Sequence, residues 1–235
     1  MILHLLELHQ VPILTQLKLE EALLRAHDES FCIINHGSER SVVMGCSGIP
    51  EELLYLDQMQ KESIPLIKRF SGGGTVIVDE QTLFVSFLIA KEDLSIAAFP
   101  EPILEWGAEL YQEAWQLPDF SLRENDFALG ERKCGGNALY IRKDRWLLHT
   151  SFLWDYSEKN MTLLKLPKKR PLYRQDRSHT HFLARLNTAA PSLGSLISRL
   201  KAELVKRFDM RTSRVEELFP ILERDHRKTT ELLPY

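Results

Sequence analysis

Arg69-Phe70-Ser71-Gly72-Gly73-Gly74-Thr75-Val76 is the stretch on which the reading of this chain turns. Three successive glycines are costly in backbone entropy, so one tight turn explains them poorly. A run without Cβ atoms lets the backbone approach a ligand closely, and its amides can point at an anion. Arg69 adds a fixed positive charge with bidentate geometry for a phosphate. A glycine-rich hairpin is the plainer alternative. The run is neither a Walker A loop nor a dinucleotide fingerprint, because the spacings and the following helix are missing.

Working outward, the run lies between extended segments. IPLIKRF (64–70) precedes it, with Pro65 suiting a strand's beginning or a sheet edge. TVIVD (75–79) and TLFVSFLIA (82–90) follow, so the middle of the chain is sheet. MILHLLELHQ reads as a first strand. Residues 15–27 place Leu19, Ala22, Leu23 and Ala26 at helical spacing, with Thr15 as a cap. FCIIN (31–35) and SVVMG (41–45) around Gly37 and Ser38 predict a hairpin.

Downstream, Pro102 suits a helix's first turn, with Ile103, Trp106, Gly107, Leu110, Tyr111 and Ala114 on one apolar face. NALYIRK (137–143) and RWLLHTSFLWDY (145–156) read as a strand pair joined through Lys143-Asp144. Ser192 can cap a helix that places Leu193, Leu196, Ile197, Leu200 and Leu204 on one face. Ser213 and Glu216 have capping-box spacing for a last helix. This order predicts an α+β fold, a mixed and mostly antiparallel sheet with packed helices, and speaks against a regular βαβ array. No repeat or linker stands out. A single domain over 1–235 is expected, with a helical portion over about 190–235.

Composition narrows the classes. The 235 residues are 44% hydrophobic and 27% charged, which suits a globular domain, and the net charge of −3 gives no pull toward nucleic acid or an anionic membrane. No apolar run approaches the roughly 20 residues that span a bilayer. The first ten residues lack a basic n-region and are interrupted by His4, Glu7 and His9, unlike a signal peptide. Three widely spaced cysteines without a CxxC exclude a disulfide framework and a Cys-rich zinc site. A cytoplasmic protein is the expectation, with neither nucleic acid nor membrane as partner.

Three further segments carry chemistry. In the stretch from Glu124 to Ala138, Asp126 can hold Mg²⁺ together with substrate phosphates, since that ion takes few carboxylates plus phosphate oxygens. Lys133 can stabilise charge growing on a phosphate and on a carbonyl oxygen. A solvated turn with ordinary surface charges is the alternative. His149, in the apolar strand LLHTSFLW, is either a hydrogen-bonded core residue or part of a site. The basic stretch Lys165–Arg177 is a solvated loop or a guide for an acidic protein partner.

In this order, these segments resemble the lipoate–protein ligase A family, within the larger group of biotin and lipoate protein ligases. The family's Arg-x-Ser-Gly-Gly-Gly-(Ala/Thr)-Val is present as Arg69 to Val76. Its Asn-Asp and Gly-x-Arg-Lys-x-x-Gly-(Ser/Asn)-Ala appear as Asn125-Asp126 and Gly130 to Ala138. Its His-Gly-(Thr/Ser)-(Leu/Phe)-Leu strand appears as His149 to Leu153. The resemblance covers about residues 10–155. It implies a catalytic domain similar to those of class II aminoacyl-tRNA synthetases and biotin ligases. It also implies an acyl-adenylate mechanism using ATP and Mg²⁺, with lipoate or octanoate as substrate. The acceptor would be a lysine of a lipoyl domain, in a 2-oxoacid dehydrogenase E2 or the glycine cleavage H protein. Lys133 would be catalytic and Asp126 the metal ligand. Arg69, Ser71, Gly72, Gly73, Gly74, Thr75, Val76, Asn125, Gly136, Asn137, Ala138, His149 and Thr150 would line the substrate and adenylate.

Four departures from the family pattern bear on this. Its His-Asp after the glycine run is Val78-Asp79 here. The Gly after its strand histidine is Thr150. The strand ending at Gly45 runs into Cys46-Ser47-Gly48-Ile49-Pro50 in place of a Gln-Asn-Pro-like segment. About 45 residues follow the catalytic region, so the family's C-terminal accessory domain is expected to be absent and a separate accessory protein to stand in. The rival within the family is an octanoyl or lipoyl transferase taking its acyl group from an acyl carrier or an acyl-adenylate. Its thioester form requires a reactive cysteine. Residues 118–127, where related transferases carry it, have none. Cys134 adjoins Lys133, but successive residues of a strand point opposite ways. A non-catalytic acyl-binding or partner-binding module is the third reading. The loop Gly-Arg-Gly-Arg-x-Gly of biotin ligases is replaced here.

Overall fold

TLFVSFLIA (82–90) has all nine residues buried, as a strand covered on both faces must. The computed structural model, which describes residues 1–234, builds outward from this strand. The first half of the chain runs β1 Ile2–His9, α1 Ile13–Ala26, β2 Phe31–His36, β3 Ser41–Met44, α2 Pro50–Leu53, α3 Leu56–Lys61, β4 Leu66–Lys68, β5 Val76–Val78 and β6 Thr82–Ala90. The second runs α4 Pro100–Trp115, β7 Phe120–Arg123, β8 Asp126–Leu129, β9 Arg132–Ile141, β10 Arg145–Leu153, α5 Glu158–Met161, α6 His179–Phe182, α7 Leu193–Arg207, β11 Asp209–Thr212, α8 Val215–Leu218 and β12 Glu231–Leu233.

Eight strands form one sheet in the order β11-β1-β2-β6-β10-β9-β8-β7, and four form another, β12-β4-β3-β5. In the large sheet β11, β1 and β2 run parallel, and every other pairing is antiparallel. The expected mixed, mostly antiparallel α+β fold is therefore present. Leu83, Val85, Phe87 and Ile89 pack with α4 and α7, burying Trp106, Tyr111, Trp115 and Leu200. Leu88 turns the other way, toward Leu19 and Leu23 of α1. No helix among the described residues is long and apolar enough to cross a membrane.

Several local expectations are corrected. FCIIN and SVVMG form strands but no hairpin: β2 pairs with β1 and β6, and β3 with β4 and β5. Both segments are buried throughout, so each is claimed by a different sheet. Thr15 does not cap α1, which begins earlier, behind Pro12. Its free Ile13 N–H donates instead to Ser38 Oγ at 2.8 Å, a cap from 25 residues away. The portion from residue 190 is only partly helical. Ser192 does cap α7, accepting from Ser195 N–H, but β11 then pairs with β1 and β12 with β4. Ser213 bonds His4 Nδ1, and the α8 start is held one residue later, where Glu217 accepts from the Arg214 N–H.

Candidate functional site

The glycine run connects β4 to β5 in the small sheet and reaches the large sheet at β9. Gly73 has φ of +108°, a conformation that L side chains rarely adopt. A Cβ there would lie 2.7 Å from Arg69 Nη2 and 3.5 Å from Asn137 O. Arg69 is buried under the loop, and its Nη2 donates to Gly72 O and Gly74 O at 2.8 and 2.9 Å. Its Nε also reaches Gly72 O. Burial lowers this guanidinium to about 10, still charged at neutral pH. Arg69 thus shapes the loop from within, and in this conformation these nitrogens face carbonyls of its own loop, which is not the phosphate contact expected of them. Ser71 Oγ and Thr75 Oγ1, by contrast, are buried without a protein partner, and buried hydroxyls normally have one. They are the donors the loop holds ready. Gly72 and Gly74 have open space around them, and Val76 opens β5 half-buried.

The second half of the site is the hairpin of β8 and β9. Asp126 pairs with Gly136, and Ala128 with Lys133, so the register slips between Phe127 and Ala128. This bulge decides which residue meets the site. Strict alternation from Gly136, on the Asp126 face, would put Cys134 on that face and Lys133 in the core. The slip reverses them. Cys134 is fully buried, and burial pushes its thiol up, away from the thiolate form. Lys133 Nζ lies 2.7 Å from Asp126 Oδ1. A Cβ on Gly136 would come within 3.0 Å of that ammonium, so glycine lets the lysine lie across its own strand.

The backbone of Lys133 is fixed from outside the sheet. Its carbonyl accepts from Ala184 N–H at 2.7 Å, and Arg132 holds Leu183 O. The segment 171–184 therefore straps the hairpin. Tyr173 on this strap donates its hydroxyl to Asp126 Oδ2 at 3.0 Å. His179 is held down at about 4 by burial and by the cations of Arg174 and Lys133. The basic stretch 165–177 is thus less a solvated loop than expected: Arg174 is buried, and Lys168 and Arg170 are paired with Glu52 and Asp176.

Behind the site lies a buried polar chain. His149 Nδ1 is 3.0 Å from Glu20 Oε1, which also accepts from Ser86 Oγ at 2.6 Å and Gln16 Nε2 at 2.8 Å. With Nδ1 committed to a carboxylate, Nε2 is the nitrogen His149 has available. His149 pairs across the ladder with Ala138, which is buried. Thr150 faces the other way and is fully buried, its hydroxyl donating to Asn137 Oδ1 at 2.7 Å. Asn137 in turn holds Asn125 O at 3.0 Å. The bulk at position 150 therefore serves the turn carrying Asn125 and Asp126. Val78 sits in an apolar cluster with Ile13, Leu17 and Phe84; position 78 joins no polar network.

Lys133, Asp126, Gly136, Ala138, His149 and the glycine run are brought to the junction of the two sheets. Glu20, Ser86 and Tyr173 were missed by the sequence reading. A signal existed for Glu20: with Gln16 it interrupts, four residues apart, the buried face of α1. Nothing in the sequence marks Tyr173.

Comparison with known proteins gives the family and the fold. The family model of the lipoyl protein ligase A/B catalytic domain matches residues 12–205, and the chain belongs to that family. The inactive lipoate–protein ligase 2 of Plasmodium falciparum is 28% identical over 241 residues, covering 77% of this chain and 62% of its own length. Lipoate-protein ligase A subunit 1 of Thermoplasma acidophilum is 31% identical over 124 residues, 49% of this chain and 47% of its own length. The chain thus spans less than two thirds of either relative. A crystal structure of a lipoate-protein ligase A bound with ATP superposes with a TM-score of 0.76 at 22% identity, covering 94% of this chain and 91% of that one.

Proposed function

We propose that the chain activates lipoate or octanoate with ATP and passes the acyl group to a lysine of a lipoyl-domain protein. The observation that carries this reading is the Lys133–Asp126 pair at 2.7 Å, set over Gly136 beside the glycine run. The run's unpartnered Ser71 and Thr75 hydroxyls suit the acyl-adenylate's polar atoms.

In the first half-reaction, a carboxylate oxygen of the acid attacks the α-phosphorus of ATP, and pyrophosphate leaves. Lys133 offsets the negative charge gathered on the phosphate oxygens. In the second, the acceptor amine attacks the acyl carbon, AMP leaves, and the ammonium of Lys133 holds the carbonyl oxygen as it gains charge. Strapping through Ala184 N–H keeps the Lys133 backbone in place during both. His149 borders the acyl group with its orientation fixed by Glu20.

Mg²⁺ would be held by Asp126. Its carboxylate oxygens each have one partner, Lys133 and Tyr173, and retain lone pairs. One carboxylate completed by phosphate oxygens is a donor set this ion accepts. When bound, the ion supplies charge neutralisation on the phosphates.

Cys134, the cysteine weighed and set aside for the thioester alternative, lies in the core with a raised thiol, which speaks against it as the nucleophile. A lipoyl domain as acceptor, a separate accessory protein, and competence in both half-reactions belong to the proposal. The P. falciparum relative's name makes competence the first thing to measure. Exchange of labelled pyrophosphate into ATP, run with lipoate and with octanoate, is the test. Exchange dependent on either acid supports the ligase. No exchange with either, together with acyl transfer from an acyl carrier protein, overturns it in favour of the transferase.

A further inference from the structure

A second cluster of chemically capable side chains stands away from this site, at the ends of β1 and β2. His9 and His36 are directly paired in the parallel ladder, so their side chains leave the same face. Their rings are 4.2 Å apart between centroids. Glu7 is two residues before His9 and shares its face, as strand alternation requires. Its Oε1 is 3.0 Å from His36 Nε2. One ligand atom from each of the three lies within 4.8 Å of the other two.

The surroundings keep these groups ready to coordinate. Lys201 of α7 donates to Glu7 Oε2 at 2.7 Å, orienting the carboxylate and leaving Oε1 toward the histidines. A second partner that fixes a ligating carboxylate is the usual companion of a metal site. The backbone is pinned as well: Gln10, at φ of +55°, donates both its N–H and its Nε2 to His36 O. The ligands thus stand on a fixed pair of strand ends.

We propose that Glu7, His9 and His36 form a binding site for a divalent transition metal, zinc first among them, with a fourth position open to water. Two imidazoles and one carboxylate are a donor set zinc takes, with bonds of about 2.0–2.2 Å. Tetrahedral coordination at those lengths needs ligand atoms about 3.3–3.5 Å apart. The metal takes the place of the contact between Oε1 and Nε2 and ties β1 to β2, next to the start of α1. The Lys201 ammonium is an opposing charge in contact with the cluster, and it sits on Glu7 Oε2, the oxygen turned away from His36.

The test is independent of the ligase reading. Tag-free chain, stripped with chelator, is titrated calorimetrically with zinc sulfate, and cobalt(II) is added in parallel to read coordination from its visible absorption. Saturable binding of one metal per chain, with a tetrahedral cobalt spectrum and a rise in Tm reversed by chelator, is expected. His36→Ala and exposed His9→Asn should each weaken binding by about 100-fold, with folding checked by circular dichroism. Absence of saturable binding, or affinity unchanged in both histidine variants, overturns the proposal.

Discussion

The two sheets contribute to the candidate site in opposite ways. The small sheet supplies the glycine run, whose one buried charge, Arg69, is turned on the loop's own carbonyls. The large sheet supplies Lys133, Asp126 and His149, each aimed by a partner outside its own strand. One side therefore gives shape and the other charge. Damage to shape should disturb substrate fit, and damage to charge should stop chemistry while leaving binding and fold.

The sharpest way to break this division is Lys133→Ala. Loss of a preorganised charge at a developing oxyanion costs on the order of 10²–10³-fold, and Lys133 is proposed to serve both half-reactions. Pyrophosphate exchange should fall by at least that factor while the Tm stays close to wild type, because Lys133 is not a core residue. Near-normal exchange would remove Lys133 from the chemistry. Gly73→Val should follow in size. It forces a β-branched residue to φ of +108° and drives a Cβ to 2.7 Å from Arg69 Nη2. Strain of that kind costs on the order of 1–3 kcal/mol. A KM for the acid raised more than kcat is lowered would place the run on the side of shape. The reverse result would blur the contrast.

These contrasts explain what the sequence disclosed. Elements with long apolar periods were legible: β6, α4, the β9–β10 pair and α7 lie close to where spacing puts them. Lys133 and Asp126 stood out because their residue types and neighbours carry chemistry, and the structure pairs them. The partition of strands between two sheets was hidden. β2 is buried on every residue but His36 and β3 on every residue, and nothing in FCIIN or SVVMG says which sheet takes them. The bulge at Phe127 and Ala128 was hidden too, since it depends on how β8 and β9 pair rather than on either strand. Glu20 and Tyr173 reach their partners across 129 and 47 residues, distances at which local pattern carries no information.

Two smaller effects refine the charged side. Gly136→Ala should move the Lys133 ammonium, since the new methyl would sit 3.0 Å from Nζ. A loss of about tenfold in exchange with little change in Tm is expected, in keeping with the cost of misplacing a catalytic group. Unchanged exchange would mean that the ammonium works elsewhere than over this glycine. Cys134→Ser should do the opposite. A hydroxyl in that core site costs about 1–3 kcal/mol unless it finds a partner, so the Tm should drop while exchange per folded molecule holds. Complete inactivation of folded protein would restore a thioester mechanism.

The smallest expected effect tests the strap. His179 titrates at about 4 in the folded chain, against an ordinary value of 6.5, because it is buried and faces Arg174 and Lys133. As pH falls, the unfolded chain takes up this proton first. The stability linked to His179 is therefore fully present above about 6.5 and is lost on going down toward about 4. Urea unfolding of His179→Gln should show a shallower loss of stability across that window than wild type. The slope should not vanish, since burial also lowers His27 and His36. The glutamine variant should leave the Lys133–Asp126 pair in place, so exchange at neutral pH should be nearly unchanged. An unchanged stability slope would mean that the strap does not enclose His179 in solution. A large loss of exchange would mean that the strap contributes to the charged side of the site itself.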